Sequence, residues 1–104
     1  MTLIVSPVVD GQLVTLSGNI ARDNPQAAAR FLDAVEAEFN FILDWPEASP
    51  IARLKKKKLR NIRYRPVKRP FQNYIVFYRA TATTVFVGAV LWGGTNWQED
   101  LEVF

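Results

Sequence analysis

Two chemically versatile side chains are missing from this sequence, which contains no cysteine and no histidine among its 104 residues. The absence of cysteine excludes disulfides and zinc sites with sulfur ligands. The absence of histidine removes the usual general base near neutral pH and the commonest metal ligand. The sequence therefore predicts a protein that works without a metal or a cofactor.

Long hydrophobic runs are missing as well. The apolar residues 3–5 are followed so soon by Pro7 and Asp10 that they cannot form a membrane span, and no basic segment precedes them as in a signal peptide. We expect no membrane partner and a cytoplasmic location. The chain length, with 49% hydrophobic and 22% charged residues, predicts one globular domain over residues 1–104.

Acidic residues are absent from half of the chain. Residues 1–47 carry seven acids and two bases, whereas residues 48–98 carry eleven bases and no acid. Ten of the bases form one block, at Arg53, Lys55, Lys56, Lys57, Lys58, Arg60, Arg63, Arg65, Lys68 and Arg69. Such a block repels itself in a packed structure and predicts an acidic partner, either a nucleic acid or an acidic protein surface. The alternative is a solvated basic face without a dedicated target.

The first half of the chain has the periodicity of two helices. Residues 3–5 predict a short strand, and Ser6 followed by Pro7 is typical of a helix start. The next apolar residues recur at helical spacing, at Val9, Leu13, Leu16 and Ile20. Because Gly11 and Gly18 weaken this helix, residues 12–16 are also compatible with a strand.

A second helix is predicted over residues 26–43, after the cap and first turn supplied by Asn24 and Pro25. One face carries the apolar residues Ala28, Phe31, Leu32, Val35, Phe39, Ile42 and Leu43. The acidic residues Asp33, Glu36 and Glu38 are expected on the solvated faces. The short connection predicts an antiparallel helical hairpin, which Trp45 and Pro46 end.

The second half has the pattern of strands. Residues 59–65 alternate basic and apolar side chains, residues 74–78 are aromatic and β-branched, and residues 83–91 form another strand after a turn at 80–82. Residues 96–101 are expected to form a last helical turn. The predicted fold class is α+β, with two layers in which an N-terminal strand and a helical hairpin pack on a mainly antiparallel β-sheet.

Six segments carry a likeness to a known family through their order and spacing. They are residues 6–9 (SPVV), 23–34 (DNPQAAARFLDA), 45–47 (WPE), 59–66 (LRNIRYRP), 74–79 (YIVFYR) and 90–93 (VLWG). Together they resemble the ParE branch of the RelE/ParE superfamily, the toxins of bacterial type II toxin–antitoxin pairs. The resemblance implies a single RelE/ParE-like toxin domain that inhibits DNA gyrase by binding it, and a cognate antitoxin that neutralises the toxin through an acidic segment. On this interpretation the chain inhibits an enzyme and has no catalytic residues.

Two departures from the family pattern leave alternatives open. Trp92 stands where the family usually has histidine, and Thr95 replaces a residue that is commonly basic. An inactive homologue that still binds antitoxin is one alternative. A second is a ribosome-dependent mRNA endonuclease like RelE, with the ribosome and mRNA as partners, and a third is a plain nucleic-acid-binding module that needs no partner protein. The endonuclease chemistry needs a general base, a cation and an acid, and without His or nearby carboxylates only Lys and Tyr remain for proton transfer.

Twelve residues are the predicted contacts with target or antitoxin: Lys55, Lys56, Lys57, Lys58, Arg60, Arg63, Arg65, Tyr74, Tyr78, Arg79, Trp92 and Trp97. The bases are expected to project from one face of the sheet. The tyrosines share a strand face and can line a groove for the antitoxin. Arg79 is expected to pair either with acids of the helical hairpin or with the antitoxin, and the tryptophans either stack on a partner or complete the core.

Overall fold

The computed structural model describes residues 1–101 and 104. The elements follow the predicted order: β1 (Thr2–Val5), α1 (Pro7–Asp23), α2 (Pro25–Asp44), a 3₁₀ turn (Lys57–Leu59), β2 (Arg63–Pro66), β3 (Tyr74–Ala80), β4 (Thr84–Trp92) and the short α3 (Trp97–Asp100). The predicted α+β fold with an N-terminal strand and a helical hairpin is confirmed. No helix in the described part of the chain has the length and apolar character needed to cross a membrane.

The helical hairpin is closed by a single residue. Asn24 donates its backbone N–H to Ile20 O at 3.0 Å and so ends α1, while its side chain accepts a hydrogen bond from Ala27 N at 3.1 Å and caps α2. At the start of α1, Ser6 Oγ accepts from Val8 N at 3.3 Å. Both predicted caps are confirmed, and the alternative of a strand at residues 12–16 is wrong.

The four strands have the order β1-β4-β3-β2. The pairs β2–β3 and β3–β4 are antiparallel, whereas β1 lies parallel to β4. The helical hairpin carries the chain from β1 to β2 at the opposite edge of the sheet. A β-bulge sits in β4, since Phe77 pairs with Ala89 while Tyr78 pairs with Val87. The extra residue reverses the alternation of β4, so that Val87 and Val90 both face the helices.

The sheet is covered on both faces. The larger core joins the hairpin to one face, around Phe31, Val35, Ile42, Val76 and Tyr78. A second core lies on the opposite face, where Leu59, Ile62, Phe77, Leu91 and Leu101 are buried. The cover on this second face comes from the segment before β2 and from the C-terminal turn, an arrangement that the predicted two layers did not include.

Three details of the prediction are corrected. Leu32 is 41% exposed, because it lies beside the buried stripe of α2 and not within it. Glu38 lies in that stripe and is only 4% exposed. The strand predicted over residues 59–65 begins only at Arg63, because the 3₁₀ turn Lys57–Leu59 and the left-handed backbone of Asn61 (φ 62°) precede it.

Candidate interaction surfaces

The most basic surface is a loop over the second core, residues 53–60, which we call the lysine loop. Its cations are all exposed: Arg53, Lys55, Lys56, Lys57, Lys58 and Arg60. Leu59 is 1% exposed and Leu54 packs partly buried beside it, so the apolar side chains of the loop point into the second core. The predicted basic surface is therefore a fixed loop whose charged groups face outward.

Arg79 holds the lysine loop in place. Its Nη2 donates to Lys58 O and to Arg60 O, both at 2.9 Å, and its guanidinium lies 5.4 Å from the centre of the Phe104 ring. Neither of the expected partners of Arg79, an acid of the hairpin or an antitoxin, is needed to explain its position. In the structure Arg79 binds the carbonyl oxygens of the loop. These charge-assisted hydrogen bonds take the place of bonds that the two carbonyls would otherwise make to water.

Arg63 and Arg65 share one face of β2, but that face carries α2. Arg63 Nη1 donates to Ser49 O at 2.7 Å. Arg65 Nε donates to Glu38 Oε1 at 2.6 Å, and its guanidinium lies 3.6 Å from the centre of the Phe41 ring. The expectation that these two arginines project towards a partner is corrected, because both are bound to the body of the protein.

The two tyrosines share a sheet face, as predicted, but neither is an open surface. Tyr78 is completely buried, and its hydroxyl donates to Pro46 O at 2.8 Å. Tyr74 is half-buried, with its ring 4.8 Å from that of Phe31. Tyr78 is thus inaccessible to an antitoxin in this fold, because its ring fills the core between sheet and hairpin.

The two tryptophans lie in different surroundings. Trp97 completes the second core, with ring centroids 5.0 Å from Phe77 and 5.9 Å from Tyr64. Trp92 is 52% exposed at the end of β4, and its ring lies where a side chain on Gly94 would overlap it. Of the two, only Trp92 offers a large aromatic surface to a partner.

Trp92 borders a second candidate surface, which we call the apolar groove. It has a volume of about 390 Å³ between α1 and the end of β4, and its lining is Val8, Gly11, Gln12, Thr15, Leu16, Val90, Leu91, Trp92 and Thr95. Val8 is 48% exposed there. At Gly11, apart from the adjoining backbone of α1, no described atom lies within 4 Å of the position that a Cβ would take, so the floor of the groove is open to close approach of another chain.

A free strand edge runs along the apolar groove. β1 pairs with β4 only as far as Val87, so among the described residues no strand covers the rest of β4 on this side. Gln12 Oε1 accepts from Val90 N at 2.8 Å, and Trp92 O accepts from Thr95 N at 3.1 Å. The side chain of Gln12 and the turn at Thr95 therefore provide hydrogen bonds for some of the backbone groups at this edge, which a neighbouring strand provides elsewhere in the sheet.

Sequence reasoning missed the apolar groove and the internal role of Glu38. The signal for Glu38 was available, because Phe31, Glu38 and Ile42 follow one another at the spacing of one helix face, which also carries Val35. A charged residue in such a stripe requires a partner. For the groove the only local signal was Gly11. Glycine destabilises the interior of a helix, so its presence within α1 indicates a position where a side chain would be in the way of another chain.

Comparison with known families gives one result. The sequence model of a family described as "ParE toxin of type II toxin-antitoxin system, parDE" matches residues 3–97, nearly the whole chain. A search of the curated proteins found no match.

Proposed function

The chain belongs to the family of ParE toxins of type II toxin–antitoxin systems. From this membership we propose that it arrests the growth of its host by binding DNA gyrase, and that a cognate antitoxin neutralises it. Family membership is the observation that carries the proposal. Action on gyrase also implies a location in the cytoplasm, where the chromosome is. The apolar groove is the surface on which we propose that the antitoxin binds, and the lysine loop is proposed to face the complex of gyrase with its DNA.

Inhibition by binding fits this structure better than catalysis. A ribonuclease that cleaves through the 2′-hydroxyl needs free cations and proton-transfer groups at one site. Arg60, Arg63 and Arg65 are the bases that the sequence offers near the first strand of the meander, and the last two make hydrogen bonds that hold the fold together. We therefore assign the toxin an effect that depends on occupying its target.

A supercoiling assay with purified gyrase tests this function. Added toxin is expected to block the ATP-dependent supercoiling of a relaxed plasmid, and the cognate antitoxin is expected to restore it. The endonuclease alternative is tested in parallel by primer extension on a translated message. Normal supercoiling at excess toxin, together with defined cuts inside codons, would establish the alternative. Normal supercoiling with intact messages would identify an inactive homologue.

We further assign the antitoxin contact to the apolar groove. An extended segment laid along β4 can bond to the free edge of the strand, while its apolar side chains enter between Val8 and Trp92. The open space above Gly11 allows the segment to approach α1 closely. Binding by added strands gives affinity through main-chain hydrogen bonds, and the pocket between α1 and Trp92 gives selectivity.

A matched pair of glycine substitutions tests the groove. Gly11 and Gly18 both lie in α1 with open space around them, but only Gly11 lines the groove. Gly11→Leu is expected to weaken antitoxin binding at least tenfold, whereas Gly18→Leu leaves it unchanged, and both variants should still inhibit gyrase. Equal antitoxin affinity for the two variants, measured by calorimetry, would place the antitoxin elsewhere.

A further inference from the structure

The lysine loop is shaped for a polyanion, and we propose that it binds the phosphate backbone of duplex DNA. The inference rests on the proposed function, because it means that the toxin recognises gyrase together with the DNA on which gyrase acts. The loop would then hold the toxin beside the DNA segment, while other surfaces contact the enzyme. Four observations support this assignment: charge, preorganisation, the absence of an apolar centre and the separation from the groove.

The lysine loop concentrates positive charge in a short stretch of the chain. Arg53, Lys57, Lys58 and Arg60 lie exposed within this short loop, and residues 48–98 contain no acid. Duplex DNA carries a negative charge about every 1.7 Å of its axis. Cations this close together repel one another in the free toxin, and bound phosphates relieve that repulsion. The loop therefore gains most from a partner with a dense row of negative charges.

The backbone of the lysine loop is held before any partner binds. Leu59 anchors it in the second core, and Arg79 donates to the carbonyls of Lys58 and Arg60. Within the loop, Leu59 N donates to Lys56 O at 3.0 Å and Arg60 N donates to Lys57 O at 3.2 Å. Because the backbone is already ordered, binding has to order only the ends of the side chains.

The chemistry of the loop surface favours phosphate over an acidic protein. A protein interface usually has a buried apolar or aromatic centre with a charged rim. Here Leu54 and Leu59 point inward and the outward groups are cations. The apolar groove contains no residue of the lysine loop. An antitoxin in the groove and DNA on the loop therefore use different surfaces, and lysines give phosphate contacts without selecting a base sequence.

Binding to a fluorescent duplex of 20 base pairs tests the inference. The double variant K57Q/K58Q removes two exposed charges and leaves the anchoring Leu59 in place, and R22Q/R30Q removes the same net charge from the exposed faces of the helices. The loop variant is expected to bind at least tenfold more weakly than the parent in low salt. Its slope of log K against log salt should be shallower by about 1.8, because each phosphate contact contributes about 0.9. The control variant should keep the slope of the parent.

Three outcomes bear on the inference. Equal affinity and slope for the loop variant and the control would overturn it. Loss of binding by the loop variant to gyrase free of DNA, with duplex binding retained, would also overturn it, because the loop would then contact protein. If the parent fails to inhibit gyrase but binds duplex through the loop, the DNA site stands and the proposed target is wrong. Unchanged antitoxin binding by K57Q/K58Q would show that the variant is folded.

Discussion

Replacing Glu38 by alanine is expected to destabilise the protein strongly, although the residue carries a charge on a helix that faces solvent on its other sides. The carboxylate is 4% exposed. It accepts Arg65 Nε at 2.6 Å and the backbone N–H of Lys68 at 3.0 Å. These two bonds join α2 to β2 and to the loop that follows β2. Glu38 therefore connects the two layers of the fold.

The expected magnitude follows from what the substitution leaves behind. A buried N–H without an acceptor costs about 1–3 kcal/mol, and a hydrogen bond to a charged group contributes about 1.5–3 kcal/mol. The bond from Lys68 N is partly buried and Lys68 itself is exposed, so the lower end of the first range applies. The side chain of Arg65 is 29% exposed and stays in contact with Phe41, so water compensates part of its loss. We expect the free energy of unfolding to fall by about 3 kcal/mol, which corresponds to a decrease in Tm of about 12–24 °C for a domain of this size.

Chemical denaturation followed by circular dichroism measures this change. Glu36→Ala is the matched control, since Glu36 is an exposed acid on the same helix, and its effect should stay within about 0.5 kcal/mol. A double-mutant cycle with Arg65→Ala isolates the interaction between the two side chains, and we expect a coupling energy of about 1–3 kcal/mol. Similar stabilities for Glu38→Ala and Glu36→Ala, or a coupling energy near zero, would refute the reasoning.

Two further substitutions probe the cores on either face of the sheet. Tyr78→Phe removes the hydroxyl that donates to Pro46 O at 2.8 Å and should cost about 1 kcal/mol in a urea titration; no loss of stability would mean that the bond contributes nothing. Gly88→Ala places a Cβ within 2.3 Å of the Phe104 ring, so the ring has to leave its contact with Phe86 (centroids 5.6 Å apart), at a cost of about 1 kcal/mol. The same substitution in a Phe104→Ala background should be neutral, and a persistent loss there would show that the clash has another cause.

The local elements were predictable because their causes lie close together in the chain. Ser6 and Asn24 cap helices through groups two and three residues away. The stripe of Val9, Leu13 and Leu16 buries one side of α1 by its spacing alone. The strands β3 and β4 follow from β-branched and aromatic runs around a short turn, where Thr81 N donates to Thr84 O at 2.8 Å. These patterns, in order, also carried the resemblance to the ParE family.

The candidate surfaces were only half predictable. The lysine loop is exposed, as its charge indicated, because burying unpaired cations costs more than packing returns. The roles of Arg63, Arg65 and Arg79 were not predictable, since a guanidinium pairs equally well with a partner molecule or with its own chain. In this fold all three make hydrogen bonds to acceptors of the chain, whereas the basic side chains of the lysine loop are exposed.

Patterns along the chain thus established the helices and strands, because each depends on residues within a few positions of one another, and the order of these patterns along the chain indicated the family. Packing settled which side chains meet. The pair Glu38–Arg65 joins residues 27 positions apart, and Gln12 reaches Val90 across 78 positions. Such contacts depend on how the hairpin lies on the sheet, a geometry that many side chains set together. The apolar groove exists for the same reason, since β1 ends where α1 begins, and on that side no described strand pairs with the last part of β4.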